Sequence, residues 1–209
     1  MSADLVKIIP SILWFLLVLI IIWKFYRPIR DELLPNLIGF KAMGVELSFI
    51  KEFIDAAIEL AEKSPQWKVE ISTTDKERAL NRAQRHLNIF RGTQILWVDD
   101  HPENNFNEIR MFRRLKVHID IANCTEDAFE KLKNVHYDLV LSDIARDEES
   151  TAGLDFLKHF REIDKATPVI FYIGVTDPTK GTPVAAFGIT NRPDELLHLT
   201  LDALERKRY

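Results

Sequence analysis

Cysteine is almost missing from this 209-residue chain, in which Cys124 is the single example. One cysteine excludes an intramolecular disulfide and a zinc site built from several cysteines, and it is compatible with a reducing compartment. Glycine and proline, at seven and nine residues, are not enriched, and the chain has no long low-complexity tract or internal repeat. Repeat architectures are therefore excluded, and the length allows one medium-sized domain with accessory segments.

An excess of charge of one sign is also missing. The 28 basic and 32 acidic side chains leave a formal net charge of −4. Bulk electrostatic attraction to a polyanion is therefore excluded, and we expect no nucleic-acid partner.

A single long apolar run stands out, because no residue from Ile8 to Trp23 is charged. With Leu5–Val6 before it and Phe25–Tyr26 after it, the run reaches the ~20 residues that a helix needs to cross a bilayer. Bulky residues follow the run, whereas a cleaved signal peptide would end in small ones. We therefore predict a retained transmembrane anchor over residues 1–26, with a buried soluble helix as the other alternative.

The basic residues beside this run predict its orientation. Only Lys7 precedes the run, whereas Lys24, Arg27, Arg30 and Lys41 follow it. The positive-inside rule then leaves the C-terminal bulk in the cytoplasm. We expect a single-pass protein of a bacterial-type inner (plasma) membrane, with a short N-terminus outside.

Residues 27–92 are predicted to form a juxtamembrane connector with amphipathic helices. The stretch Leu37–Phe49 fits a short hairpin as well as the start of a helix, and Glu46–Lys63 is predicted to be helical. The apolar face of that helix is so broad that it must be covered, either by the same chain or by identical neighbours. Anchoring concentrates like chains, which favours a homo-oligomer somewhat.

The second half of the connector is less regular. Trp67–Thr73 alternates like a strand or an extended linker, and Thr74 or Asp75 is the predicted cap of a helix over Lys76–Phe90. We expect the basic face of that helix to be solvated, with anionic lipid or an acidic partner as alternatives.

From Thr93 onward, strand patterns alternate with helix patterns, so residues 93–209 are predicted to be an α/β domain. Such alternation demands right-handed crossovers and a five-stranded parallel, doubly wound sheet that is covered on both faces. We predict the flavodoxin-like strand order 2-1-3-4-5. The predicted strands are Ile95–Val98, Lys116–Ile121, Leu139–Ser142, Pro168–Ile173 and Val184–Ile189, and the predicted helices are Pro102–Arg114, Glu126–Lys133 (capped by Thr125), Leu154–Ile163 and Pro193–Arg206.

Two of the predicted strands end in carboxylates. The first runs into Asp99 and Asp100, and the third runs into Asp143. In the predicted strand order these ends are neighbours at the ligand crevice, so three acids should share one pocket. Such a pocket can hold Mg²⁺, which prefers oxygen ligands, and can offer one carboxylate for phosphorylation. The adjacent His101 is expected to face solvent, and Cys124 is expected to be packed.

Five sequence blocks, taken in their order along the chain, make residues 93–206 resemble a receiver domain of the response-regulator family, of the CheY-like kind. The resemblance covers a little over half of the chain and implies a phosphorylatable signalling domain. The blocks are Ile95–Asn105, Asp138–Asp143, Gly153–Lys158, Thr167–Tyr172 and Asn191–Leu197.

The resemblance also implies roles for individual residues. Asp143 matches the phosphoacceptor, and Asp99 and Asp100 match the acid pair that binds or orients Mg²⁺. The metal ligands implied are thus Asp99, Asp100, Asp143 and the backbone carbonyl of Ala145.

Two positions depart from the family pattern. Ile173 stands where the family has its switch hydroxyl, and Arg192 stands where it has a lysine. Isoleucine cannot donate a hydrogen bond to a phosphoryl oxygen, and arginine is a planar fork in place of a compact ammonium. The loops after Asp143 and at 176–182 are also altered, so the resemblance implies an atypical receiver.

The leading hypothesis is a membrane-anchored, receiver-like signalling or sensor protein that acts through binding and oligomerisation. Its output would pass through a protein partner or the membrane, and no cognate kinase can be named from the sequence. The alternative is an oligomeric membrane effector or channel-like assembly, such as occurs in stress or phage defence, whose receiver-like domain senses a ligand. A third hypothesis, a metal-dependent phosphatase or hydrolase, lacks an evident general acid. We expect no enzymatic activity beyond autophosphorylation at Asp143 from a phosphodonor.

Overall fold

The computed structural model describes residues 13–18, 24, 34–63, 70–146, 149–174 and 181–207. The chain divides into two compact units, Met1–Val45 and Glu46–Tyr209. The helices are α1 (Leu34–Lys63), α2 (Thr73–Arg85), α3 (Leu87–Phe90), α4 (Phe106–Arg114), α5 (Thr125–Asn134), α6 (Ala152–Ile163) and α7 (Pro193–Lys207). The strands are β1 (Gln94–Val98), β2 (His118–Ala122), β3 (Leu139–Ser142), β4 (Val169–Tyr172) and β5 (Gly188–Thr190), and a 3₁₀ turn spans Pro102–Asn105.

The five strands form one sheet in the order β2-β1-β3-β4-β5, which confirms the predicted order. Every neighbouring pair is parallel. In the register of β1 and β3, Val98 lies opposite Ser142, so the residues that follow the two strands start from the same level. The strands β3 and β4 are buried throughout, as expected for central strands that carry helices on both faces.

The core consists of two layers, one on each face of the sheet. Because successive side chains of a strand point to opposite faces, Ile95 and Trp97 pack into one layer, and Leu96 and Val98 pack into the other. The first layer also contains buried residues of α1 to α4 and of α7. The second layer is completed by α5 and α6. The connector helices are thus part of the same core as the sheet.

The position of helix α1 decides between the hairpin and the helix that were predicted as alternatives for Leu37–Phe49. The helix begins at Leu34, so the hairpin predicted as one option for Leu37–Phe49 is wrong. Ile50, Ile54 and Ile58 are buried in the first core layer. This part of the broad apolar face is therefore covered within the chain, while oligomerisation stays a prediction.

The residue that caps the start of α2 differs from the predicted one. The hydroxyl of Ser72 accepts a hydrogen bond from the backbone N–H of Asp75 at 3.1 Å, so Ser72 is the cap and the choice of Thr74 or Asp75 was wrong. At His86 the backbone leaves helical geometry and divides the predicted helix into α2 and α3. The described residues Glu70–Ser72 form no strand, and the rest of the predicted extended segment up to residue 69 lies outside the described residues.

The basic face of α2 packs on α7, so its expected solvation is wrong for the residues that pair there. The guanidinium of Arg82 donates to Asp202 at 2.5 Å and to Glu205 at 2.9 Å. His86 lies 3.3 Å from Glu205. The acidic partner is therefore the last helix of the same chain.

Turns with positive φ explain why two strands begin later than predicted. Lys116 has a φ of 65°, so β2 starts at His118. Ala185 has a φ of 68° and its neighbour Val184 is 94% exposed, so the predicted strand over Val184–Ile189 is replaced by the short β5. A short polar side chain or glycine would have signalled these turns, but lysine and alanine do not.

Two helix starts also differ from the prediction. The chain after β1 first makes the 3₁₀ turn Pro102–Asn105 and only then enters α4. Thr125 does not cap α5 but is its first residue, after the half-buried Cys124 at the cap position. The hydroxyl of Thr125 instead accepts a hydrogen bond from Arg146.

Within the described ranges, no helix combines the length and the apolar character that crossing a membrane requires. The predicted anchor from Ile8 to Trp23 lies largely outside those ranges, because only residues 13–18 of it are described. The anchor therefore stays a prediction.

Candidate functional site

The predicted acidic pocket exists at the carboxyl ends of β1 and β3. The backbone N–H of Asp99 donates to Ala122 on one side, and that of Asp143 donates to Val98 at 3.0 Å on the other, so the sheet ladder continues into the pocket. The cavity has a volume of about 240 Å³. Its lining residues are Asp99, Asp100, His101, Asn104, Asn105, Asp143, Ala145, Tyr172, Ile173 and Gly174.

Asp99 is built into the wall of this pocket. It is 4% exposed, and its two carboxylate oxygens accept hydrogen bonds from the backbone N–H of His101 at 2.8 Å and from the side-chain amide of Asn105 at 2.7 Å. Burial raises the pKa of Asp99, and the N–H of His101 acts in the opposite direction. The 3₁₀ turn thus fixes Asp99, and Asn105 is a contributor that the sequence analysis had not singled out.

The surroundings of Asp143 raise its pKa strongly. Burial raises the pKa of Asp143 to about 6, and the negative charge of Asp99 adds to the increase. The backbone N–H of Ile144 donates to one oxygen of Asp143 at 2.6 Å and lowers the pKa in part. A carboxyl group with this pKa is mostly ionised at neutral pH, so it can act as a nucleophile there.

The outer edge of the pocket is formed by Asp100 and His101. Nε2 of His101 lies 3.7 Å from Asp100, and its Nδ1 lies 3.1 Å from Glu103. The His101 side chain is largely exposed, as expected from the sequence, and its contact with Glu103 raises its pKa. His101 therefore belongs to the rim of the pocket.

The donor set of the pocket fits Mg²⁺ better than a softer metal. No group of three or more His, Cys, Asp or Glu side chains in the described part of the chain is arranged to hold an ion by itself. Asp99, Asp100, Asp143 and the exposed Ala145 nevertheless line one cavity, and the charges of both other acids raise the pKa of Asp143. Mg²⁺ suits this arrangement because it takes oxygen ligands and keeps several of its waters. The fit therefore depends on carboxylates, one carbonyl and water together.

A buried arginine that donates to the backbone of Asp143 was missed by the sequence analysis. Arg146 is 2% exposed, and its guanidinium donates to Ser142, to the backbone carbonyl of Asp143, to Thr125 and to the carbonyl of Ala152. Its charge interacts with that of Asp143 and with those of the other two acids. An arginine three residues after a candidate site residue, in an otherwise acidic loop, was the available signal.

The two altered switch positions differ in location. Ile173 follows β4 and lines the pocket with an apolar side chain. Arg192 is not among the lining residues; its guanidinium donates to Asp194 at 2.7 Å and to Asp75 of α2 at 3.4 Å. The structure thus brings Ile173 to the three acids and pairs Arg192 with other carboxylates.

A buried pair lies next to Ile173. The hydroxyl of Tyr172, another pocket residue, donates to Oε1 of Glu108 at 2.7 Å. Glu108 is 1% exposed, and among the described residues its Oε2 has no hydrogen-bond partner. Burial raises the pKa of Glu108. The pair joins α4 to the end of β4, whereas the sequence had predicted for Glu108 only a place in the helix Pro102–Arg114.

Comparison with known proteins agrees with this geometry. The family model of the response regulator receiver domain matches residues 95–190, which is slightly less than half of the chain. No curated protein matches the chain in sequence.

Three solved structures illustrate the likeness in fold. The signal receiver domain of an HD domain-containing protein from Pseudomonas fluorescens is 22% identical, with a TM-score of 0.50; the match covers 56% of this chain and 98% of that one. Chemotaxis response regulator CheY4 of Vibrio cholerae is 24% identical over 54% of this chain and 98% of its own, with a TM-score of 0.46. Response regulator TrrA of Thermotoga maritima is 24% identical over 53% and 98%, with a TM-score of 0.47. The family match and the fold together place a response regulator receiver domain at residues 95–190 of this chain.

Proposed function

We propose that this chain is a membrane-anchored signalling protein whose receiver domain accepts a phosphoryl group on Asp143 in the presence of Mg²⁺. The observation that carries the proposal is the position of Asp143 beside Asp99 and Asp100 in one cavity. Because the Asp143 carboxyl group is mostly ionised at neutral pH, it is suited to the role of a nucleophile.

The proposed reaction is a phosphoryl transfer from a small donor such as acetyl phosphate. A carboxylate oxygen of Asp143 forms a bond to phosphorus, the bond from phosphorus to the acetyl oxygen breaks, and acetate leaves with that electron pair. Asp99, Asp100, Asp143 and the carbonyl of Ala145 are the groups that would hold Mg²⁺. When bound, the ion neutralises charge between the acids and the phosphoryl oxygens.

The same pocket supports a distinct route for the response. Ile173 offers the phosphoryl group no hydrogen bond, and Arg192 is paired with Asp194 and Asp75. Asp75 lies on α2, which packs on α7 through Arg82. A change at Arg192 would therefore act on the connector helix α2.

Membrane attachment through residues 1–26 is part of the proposal. Beyond the uncharged sequence from Ile8 to Trp23, its support is a run of exposed apolar side chains, of which Trp14 is 67% and Phe15 is 64% exposed. Such a continuous apolar surface is typical of a segment that contacts lipid or another protein. Oligomerisation would then follow from crowding in two dimensions.

A direct test uses the full-length chain in detergent with Mg²⁺ and beryllofluoride, the pair with which TrrA was crystallised. The ¹⁹F NMR spectrum should show a bound fluoride signal that needs Mg²⁺ and disappears in Asp143→Asn. Asp155→Asn is the matched control, because Asp155 lies on α6 and does not line the pocket. Absence of a bound signal in the unchanged protein would contradict the phosphoacceptor role.

The second candidate function is sensing by binding alone, with or without assembly into a membrane effector. The apolar Ile173 and the paired Arg192 favour this candidate, because both lower the pocket's ability to hold a phosphoryl group. It predicts that the protein binds Mg²⁺ but gives no beryllofluoride signal. Its effector form requires a multimer, so a monomeric mass in detergent would argue against that form.

A further inference from the structure

The backbone carbonyl of Asp143 is enclosed by groups from three segments. Nη1 of Arg146 donates to it at 2.9 Å, and the hydroxyl of Ser142 donates to it at 2.8 Å. On the third side lies Gly153, where an added Cβ would come within 2.2 Å of the same oxygen. We call Arg146, Ser142 and Gly153 the carbonyl clamp.

Arg146 ties this clamp to the beginnings of two helices. Its Nη1 also donates to the hydroxyl of Ser142 at 2.6 Å, while Nη2 donates to Thr125 at 2.8 Å and to the carbonyl of Ala152 at 3.2 Å. One planar fork therefore joins the end of β3 to the first turns of α5 and α6. A lysine could not replace it, because an ammonium group does not offer four donors in this fixed plane.

The backbone of Arg146 is held as well. The backbone N–H of Arg146 donates to the carbonyl of Glu149 at 3.1 Å, and that of Glu149 donates back at 3.0 Å. The guanidinium also lies over the Phe156 ring, with its carbon 5.7 Å from the ring centre. Arg146 is thus immobilised at both its backbone and its side chain.

We infer that Arg146 is a positioning residue for Asp143, because its guanidinium fixes the Asp143 backbone and supplies a permanent positive charge that interacts with the three acids. This inference deepens the proposed phosphoacceptor function and rests on it. Two consequences separate it from a purely structural role. Removal of the charge should leave Mg²⁺ binding as tight or tighter, whereas misplacement of the Asp143 oxygen should slow phosphoryl transfer.

The chain offers a matched control in Arg161. Its guanidinium also donates to backbone carbonyls, those of Ala185 and Asp164, and its carbon lies 5.4 Å from the centre of the Phe160 ring. Burial lowers the pKa of both arginines. Arg161 does not line the acidic pocket, so its loss should affect stability without affecting the chemistry at Asp143.

The experiment compares full-length wild type with Arg146→Gln, Arg146→Lys and Arg161→Gln. For Arg146→Gln we expect phosphoryl incorporation from acetyl phosphate to slow by about 100-fold, the usual cost of a misplaced reacting group, with Mg²⁺ affinity unchanged or higher in calorimetry. Arg146→Lys keeps the charge but not the fork, so it should keep the wild-type Mg²⁺ affinity and still react slowly. Arg161→Gln should match wild type in both measurements.

Equal incorporation in wild type and Arg146→Gln would overturn the inference, and so would a parallel loss of Mg²⁺ binding and incorporation. Hydrogen exchange at the amides of Ile144 and Gly153 provides a readout that does not depend on the reaction. Exchange at both amides should be faster in Arg146→Gln and unchanged in Arg161→Gln. If wild type incorporates no phosphoryl group, the proposed function fails, and this exchange pattern alone then supports or overturns the positioning role.

Discussion

Replacement of Gly153 by alanine adds a single methyl group at the tightest point of the site. The new Cβ would lie 2.2 Å from the carbonyl oxygen of Asp143 and 2.7 Å from Cα of Ile144. Both neighbours are backbone atoms, and Arg146 and Ser142 hold that carbonyl. The methyl group therefore cannot be accommodated by the rotation of a side chain.

Two effects of opposite sign decide how much Gly153→Ala changes the free energy of unfolding. Alanine in place of glycine favours a helix by up to about 1 kcal/mol, and less at the second residue of α6 than in its interior. Overpacking against fixed atoms costs about 1–3 kcal/mol. We expect the steric effect to prevail, so that Gly153→Ala lowers the free energy of unfolding by about 1–2 kcal/mol, or the melting temperature by about 2–8 °C.

Gly188→Ala is the matched control for this experiment. The atoms nearest to a Cβ at Gly188 would be side-chain carbons of Leu199, at 3.0 Å and beyond, and that side chain can turn away. Denaturant unfolding of the full-length chain should therefore show a clearly larger loss for Gly153→Ala. Equal stability of Gly153→Ala and wild type would refute the reasoning, because it would mean that the Asp143 carbonyl is free to move.

Two further predictions concern charged side chains outside the clamp. Arg82→Gln should lower the free energy of unfolding by about 1–2 kcal/mol, because it removes a partly buried network with Asp202 and Glu205. The control is Arg78→Gln, at an exposed position of the same helix, which should change the free energy of unfolding by less than about 0.5 kcal/mol. Equal values for the two variants in denaturant titrations would argue against docking of α2 on α7. Glu108 has a raised pKa through burial, so its contribution to stability is fully present below its unfolded pKa and is lost as the pH rises through the folded one. Glu108→Gln keeps an oxygen acceptor for Tyr172 and should remove this loss of stability at rising pH, which amounts to at most about 1.4 kcal/mol per pH unit. If the free energy of unfolding depended on pH in the same way in wild type and in Glu108→Gln, the prediction would be wrong.

Periodicity in the sequence was sufficient to predict the strand order of the sheet, although not the residues at which β2 and β5 begin. Central strands buried on both faces read as continuous apolar runs, and the alternation with helices leaves few possible orders, so the neighbouring ends of β1 and β3 followed. The cavity shared by Asp99, Asp100 and Asp143 is a consequence of that order. This part of the site could be predicted from the local sequence pattern and a rule of strand topology alone.

Other parts of the site could not be derived from local pattern. Arg146 is buried because its partners lie at the end of β3 and in the first turns of α5 and α6, and no periodicity reports such a meeting. Arg192 was placed at the family's lysine position by alignment, but the direction of its side chain depends on Asp75, a residue of the connector. Long-range polar contacts of this kind depend on the packed fold.

The packing of the connector followed only in part from composition. The broad apolar face of α1 indicated that something must cover it, and both the same chain and a second copy satisfied that requirement. Burial of Ile50 and Ile54 in the core of the sheet shows cover from the same chain. Likewise, the basic residues of α2 were typical of a solvated face until Arg82 was seen against Asp202.

The central claim is that Asp143 accepts a phosphoryl group. Its most direct test is incubation of the full-length chain with acetyl phosphate and Mg²⁺, followed by mass spectrometry of the intact protein and of its peptides. We expect one added phosphoryl group per chain, located at Asp143, lost on removal of Mg²⁺ and absent from Asp143→Asn. An unmodified wild-type protein, or a phosphoryl group on another residue, would contradict it.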